Sequence, residues 1–303
     1  MRTAPQRTIS PTAWALMGLL ALIWGGSFVN NKIALTEIGV LTLVALRVTG
    51  AAAALWVWVL VRRLPVPRGG RWLGIFALMG LGNNVIPFTL IVWGQSHIPS
   101  GLAGILNAAT AVFTVLLVTL VFPDERLTRA KAAGVAIGFA GVVVTVGPAA
   151  LRALDLTSLG QLAVLGAALS YAVSGAYARH VMRGIRAEVS AAGMLTAAAL
   201  LMLPLAVAAE GVPTFQWAPA TWGALAYLCF AASALAYILY YAVMRLAGAG
   251  NVSLVTLMVA PVAIALGAVV FGETLAPSAY VGFALLTLGL LVIDGRILAR
   301  FFA

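Results

Sequence analysis

The chain has 303 residues, of which 63% are hydrophobic and 9% charged, with a formal net charge of +10. Soluble globular chains carry roughly 25% charged residues, so this composition leaves too little polar surface to cover a water-soluble fold. The basic residues fall in short clusters between long apolar stretches, which argues against a nucleic-acid partner and for loops at a membrane surface.

Crossing a hydrocarbon core takes roughly 20 residues of helix. The apolar runs predict spans over 13–31, 39–61, 72–94, 100–122 and 131–148, then 158–179, 189–208, 220–243, 251–271 and 278–298. Connections between them are short, and prolines mark many joints (Pro65, Pro67, Pro99, Pro123, Pro148, Pro213, Pro219, Pro277). The basic segment Met1 to Thr12 precedes a run long enough to span, with no small-residue cleavage site closing it, so a retained first helix is expected.

Along the spans, polar groups are few and therefore conspicuous, because each is costly in lipid. Trp24 sits mid-span in the first, where its indole N–H needs a partner; a cavity wall and core packing fit equally well. Arg47 lies about eight residues into the second span, roughly 12 Å from the helix start. It can snorkel outward or pair with Glu37 on the same side. The third span carries Asn83 and Asn84, then Pro87 and Phe88, the pattern of a locally opened helix whose amides face a cavity; helix-to-helix hydrogen bonding is the alternative. Asn107, Thr110 and Thr114 share one face of the fourth. Ser170, Ser174 and Tyr177 share one face of the sixth, beside Tyr171. The eighth holds Ser233, Tyr237, Tyr240 and Tyr241; the last two fit a headgroup boundary, and Tyr237 lies deeper. Glu125 and Glu273 precede the fifth and tenth spans, where a carboxylate favours a helix N-terminus, with Thr128 and Ser278 as the expected caps.

Two global patterns organise these spans. With the N-terminus cytoplasmic, fifteen Lys and Arg residues fall on one side and only Lys32 and Arg152 on the other, a positive-inside bias that supports ten spans and two cytoplasmic termini. An internal repeat is also present. Glu125 and Leu127 are followed by Gly134 and Gly141; Glu273 and Leu275 are followed by Gly282 and Gly289, at an offset of 148 residues. Upstream, Trp24, Ser27 and Lys32 echo Tyr171, Ser174 and Arg179 at an offset of 147. Five spans per copy is an odd number, so residues 150–303 enter the membrane upside down relative to residues 1–149. Inverted repeats of this kind are a transporter construction, with the substrate site near the midplane between the halves.

Trp24, Gly25, Gly26, Ser27 and Phe28 in the first span, Arg47 in the second, and the Glu-x-Leu segments before the fifth and tenth resemble the EamA-type branch of the drug/metabolite transporter superfamily. The resemblance extends to the YddG-type exporters of aromatic and other amino acids. It covers the whole chain and implies export of a metabolite across a bacterial inner membrane, through a cavity lined by both halves. It also implies a structural or gating role for Arg47. One departure stands out. Many members have a proline in the fourth span, as at Pro261 in the ninth here, but this chain reads Asn107, Ala108, Ala109, Thr110 and Ala111, which puts a bend there in doubt.

Absences narrow the chemistry. All eight acidic residues fall at or near helix ends, so no embedded carboxylate is available to hold a cation or relay a proton. No basic pair for a phosphorylated ligand lies within the spans, and there is no glycine-rich nucleotide loop. The single Cys229 excludes a disulfide within one chain, and two distant histidines make no metal site. The expectation is an all-α integral membrane protein of ten helices, monomeric, without cofactor, metal or catalytic residues. It exports small neutral or zwitterionic metabolites, aromatic or hydrophobic amino acids foremost, by alternating access. Trp24, Asn83, Asn84, Phe88, Asn107, Ser174 and Tyr237 are the expected cavity lining. An exporter of other metabolites or drugs is the near alternative; a non-transporting scaffold or a lipid-modifying enzyme is the distant one.

Overall fold

The computed structural model describes residues 10–121, 128–146, 155–182, 184–247 and 254–294. Ten helices run through them: α1 (Pro11–Ala34), α2 (Val40–Val61), α3 (Gly70–Gln95), α4 (Ser100–Val121), α5 (Arg129–Val146), α6 (Leu156–Val181), α7 (Ala187–Glu210), α8 (Pro219–Ala247), α9 (Leu254–Phe271) and α10 (Pro277–Asp294). Seven are long and apolar enough to cross a membrane; the apolar parts of α5, α9 and α10 are shorter, and each of those helices abuts residues outside the described set. The expected junction at 149/150 and Glu125 also lie outside it.

Helix boundaries follow local chemistry. Ser10 caps α1 by accepting from the Ala13 N–H, with Pro11 in the first helical position, and Asp155 caps α6 through the Ser158 N–H. Gly211 (φ 81°) and Gly272 (φ 64°) take the left-handed conformation just past α7 and α9. Thr128 directly precedes α5, and its carbonyl accepts from the Ala132 N–H. Ser278 is not the cap of α10: Pro277 opens the helix, so Ser278 already lies inside it.

The helices pack under a two-fold relation that exchanges each with the one five places on. α1 packs on α8 and α9, while α6 packs on α3 and α4. α2 pairs with α7, and α5 with α10, each with its own counterpart. The α5–α10 crossing explains the repeated glycines. A Cβ added at Gly141 would lie 2.7 Å from the Gly282 carbonyl oxygen, and one at Gly289 would lie 2.6 Å from that of Gly134. Early residues of α5 therefore meet late residues of α10, and the two helices are antiparallel. Backbones come this close only where side chains are absent, and close packing, rather than a hydrophobic drive, joins helices in lipid. The fold is two inverted five-helix repeats.

Two rims result. The first rim holds the turns after α1, α3, α7 and α9; the second holds those after α2 and α6. Phe215, Trp217 and Trp222 form a ring cluster on the first rim, with Phe215 and Trp222 exposed, as expected of an interfacial aromatic belt.

Candidate functional site

Both α3 and α8 are interrupted by π-helix, at Leu81–Val85 and at Tyr227–Leu235. Such segments free backbone groups and re-aim side chains, and they concentrate at functional positions. In α3 the cause is legible: Pro87 has no N–H to donate to the Asn83 carbonyl, so the turn carrying Asn83 and Asn84 widens. α4 also breaks, at Ala108, although it lacks the family proline. Thr110 donates to the Asn107 carbonyl (2.7 Å) and Thr114 to the Thr110 carbonyl (2.7 Å), back-bonds that bend helices without proline.

Each half thus carries one π segment, and most of the expected lining residues meet between Asn83–Phe88 of α3 and Ala232–Tyr237 of α8. Asn83 Nδ2 donates to the Tyr237 hydroxyl at 3.0 Å, and that hydroxyl donates to Asn84 Oδ1 at 2.9 Å. Asn84 is fully buried, and its Nδ2 has no partner. Trp24 Nε1 donates to the Ala232 carbonyl (3.3 Å) inside the α8 π segment, and its ring lies 5.8 Å from that of Tyr240. Tyr240 and Tyr241 continue a ring ladder with Tyr237, which stacks on Tyr241 at 6.4 Å.

Arg47 turns inward. It is 5% exposed, its Nε donates to Ser233 Oγ (2.9 Å), and its guanidinium lies 4.0 Å from the centre of the Phe88 ring. Pairing with Glu37 does not occur. Glu37 instead accepts from the Ala218 N–H (2.9 Å) and from the Thr221 hydroxyl. A guanidinium at mid-membrane costs about 2.5–3.5 kcal/mol even on insertion scales. The ring face offsets part of this.

Two expected lining residues sit elsewhere. Ser174 packs against Gly82, one turn from Ser170, which donates to the Gly82 carbonyl (2.7 Å), so both serines hold α6 to the α3 π segment. Asn107 is half-buried at the α4 break with Oδ1 unpartnered, and among the described residues no hydrogen bond joins its side chain to the cluster. Ser233, read in the sequence as part of the hydroxyl face of the eighth span, is the partner of Arg47, and Gln95 is a polar joint that the sequence reading missed. Gln95 accepts from Asn31 Nδ2 (2.8 Å) and donates to the Phe28 carbonyl (2.8 Å), tying α1 to α3. Cys229 is buried against the Leu46 carbonyl at 3.5 Å, a packing position.

The profile of the EamA-like transporter family matches residues 12–147 and again residues 158–294. The chain belongs to the EamA-like transporter family. It is 34% identical, over 96% of both chains, to a probable terminal-alkyne amino-acid exporter of Streptantibioticus cattleyicolor. It is 28% identical to a probable amino-acid metabolite efflux pump of Salmonella typhimurium and 26% identical to one of Escherichia coli, in each case over 90% of this chain and 92% of the relative. A crystal structure at 22% identity superposes with a TM-score of 0.67, over 95% of this chain and 99% of the other, and shows the same fold.

The two rims are fastened differently. On the first rim three carboxylates each reach across the repeats to cap a helix. Glu210 accepts from the Leu41 N–H (2.9 Å) and the Thr42 N–H (2.8 Å) at the start of α2. Glu37 caps α8. Glu273 caps α4 rather than its own α10, accepting from the Ser100 N–H (3.0 Å) and the Gly101 N–H (3.3 Å) and from Lys32 Nζ (2.6 Å). Burial alone would raise the Glu273 pKa, but the Lys32 contact and the two N–H donors together hold it below the usual carboxylate value. On the second rim the ion pairs among described residues are Glu188 with Arg186 (3.7 Å) and Arg245 (3.8 Å), all within one repeat. A recess of about 180 Å³ opens there between Pro65–Pro67 and Gly184–Arg186.

Proposed function

We propose that this protein exports small zwitterionic metabolites, amino acids foremost and aromatic or hydrophobic ones in particular. The observation that carries the reading is the Asn83–Tyr237–Asn84 cluster, which joins the two repeats and is ringed by Trp24, Tyr240 and Tyr241. Amides and a hydroxyl suit a polar head, while the rings suit an apolar side chain. The named relatives support the substrate class. Trp24, Asn83, Asn84, Phe88 and Tyr237 line the route, with Ser174 and Asn107 bracketing it on α6 and α4.

Transport proceeds by alternating access, residues 1–149 rocking against 150–303, in a monomer. The protein lies in a bacterial inner membrane with the first rim outside and both termini cytoplasmic, the orientation that puts the basic excess inside. Opening to the outside then requires the first-rim bonds of Glu37, Glu210 and Glu273 to part. No embedded carboxylate is available for proton relay, so the cytoplasmic substrate concentration sets the direction.

The test is counterflow in proteoliposomes with a panel of amino acids at several imposed pH gradients. Exchange of aromatic and large apolar amino acids, unchanged by the gradient, is the expected result. No exchange of any amino acid across the panel would refute the substrate class.

A further inference from the structure

We propose that Arg47 and Asn84 form a receptor for the carboxylate of the cargo. This rests on the reading above, that a zwitterion passes through this seam. The cluster is built in two layers. Asn84 and Phe88 lie one turn apart on α3, and Ser233 and Tyr237 one turn apart on α8. Because the two helices run antiparallel, Phe88, Arg47 and Ser233 make the layer nearer the first rim. Asn84 and Tyr237 make the layer one turn nearer the second rim.

The charge balance of this cluster is incomplete. Arg47 presents five N–H donors, of which Nε is used by Ser233. The structure gives neither Nη a hydrogen bond, and among the described residues no carboxylate lies within ion-pair distance. In the adjacent layer Asn84 spends Oδ1 on Tyr237 and leaves Nδ2 buried and unpartnered. A carboxylate supplies what both lack, a full negative charge and paired acceptor oxygens matched to a guanidinium fork. The cargo's ammonium group would then face the Tyr237, Tyr240 and Trp24 rings on the second-rim side, whose faces attract cations. A purely cationic solute meets the uncompensated positive charge of Arg47 and is rejected.

The test uses the full chain in proteoliposomes loaded for L-phenylalanine counterflow, with two competitors: phenylalaninamide, which lacks the carboxylate, and 3-phenylpropionate, which lacks the ammonium. Wild type is expected to be inhibited by 3-phenylpropionate and not by phenylalaninamide. Arg47→Gln is expected to lose about a hundredfold in apparent affinity for both carboxylates and to stop distinguishing acid from amide. Arg47→Lys keeps the charge without the fork, so it should keep the acid preference with about a tenfold loss. Asn84→Ala should weaken carboxylate binding while leaving the preference in place. An Arg47→Gln protein that elutes as a single folded species and keeps the wild-type acid-over-amide ratio overturns the receptor. If that variant does not fold, the Arg47→Lys ratio decides: unchanged absolute affinity overturns the receptor.

The two readings fail separately. Amino-acid flux with an acid-over-amide ratio that ignores Arg47 removes the receptor and leaves the cargo. If wild type moves no amino acid, a rise in Tm with 3-phenylpropionate, absent in Arg47→Gln, keeps the receptor while the cargo reading falls. Absence of that rise in wild type removes both.

Discussion

The two rims of this bundle are built from similar turns and fastened differently. On the first, Glu37, Glu210 and Glu273 each cross between repeats to satisfy the free N–H groups of another helix. On the second, Glu188 stands 3.7 Å and 3.8 Å from exposed arginines of its own repeat. A carboxylate on helix N–H donors gains charge-assisted hydrogen bonds and the helix dipole together. A loose pair, 3.7–3.8 Å long and with the arginine partner exposed to water, gains little. The first rim is thus held together across the repeats, whereas among the described residues no carboxylate of the second rim joins them.

The harshest way to break this comparison is to remove the axis both rims share. Gly282→Leu drives a side chain into the α5 backbone and should cost about 3 kcal/mol or more, seen as a fall in Tm in detergent and a loss of transport at both rims alike. Glu273→Gln acts on one rim. It removes the Lys32 ion pair and weakens the α4 cap, and at about 1.5–3 kcal/mol it should raise labelling of an Asn83→Cys, Cys229→Ala protein by an impermeant maleimide applied at the first rim by roughly 10- to 100-fold. Glu210→Gln loses a cap without a lysine and should raise it by no more than about tenfold. If it matched Glu273→Gln, the Lys32 contact would contribute nothing.

Acid sharpens the same contrast. Because folding lowers the Glu273 pKa from 4.5, its contribution is complete above that value and is lost only as pH falls through the lowered one. First-rim labelling, divided at each pH by the rate of a free thiol with the same reagent, should stay flat between about pH 5.5 and 8 and rise below about 4.5; a rise in that ratio near neutrality would mean another group holds the latch. Smallest of all, Glu188→Gln should change second-rim labelling less than about twofold.

Much of the fold was legible in the chain itself. The expected spans match the observed helices to within a few residues, and the glycines repeated at an offset of 148 turned out to mark the antiparallel α5–α10 crossing. The opening of α3 at Asn83 and Asn84 was legible because Pro87 announces it. The matching π segment in α8 was not, since no proline or amide marks Tyr227–Leu235. Arg47 was visible as a charge, but its partners were not. The nearest carboxylate in the chain, Glu37, goes to Ala218 and Thr221 on a helix about 180 residues away, and the guanidinium goes to Phe88 and Ser233.

The amino-acid sequence by itself determined the number of spans, their inverted duplication and the sidedness of the charge. Those depend on apolar length, repeat spacing and loop composition, which are local and additive along the chain. Tertiary structure alone decided which way each helix face turns, and so which polar groups meet. In water an amphipathic stripe records that rotation, but lipid and protein interior are almost equally apolar, so these helices carry little stripe to read. The meeting of Arg47 with Phe88 and Ser233, and of Tyr237 with Asn83 and Asn84, exists only once the two repeats have docked.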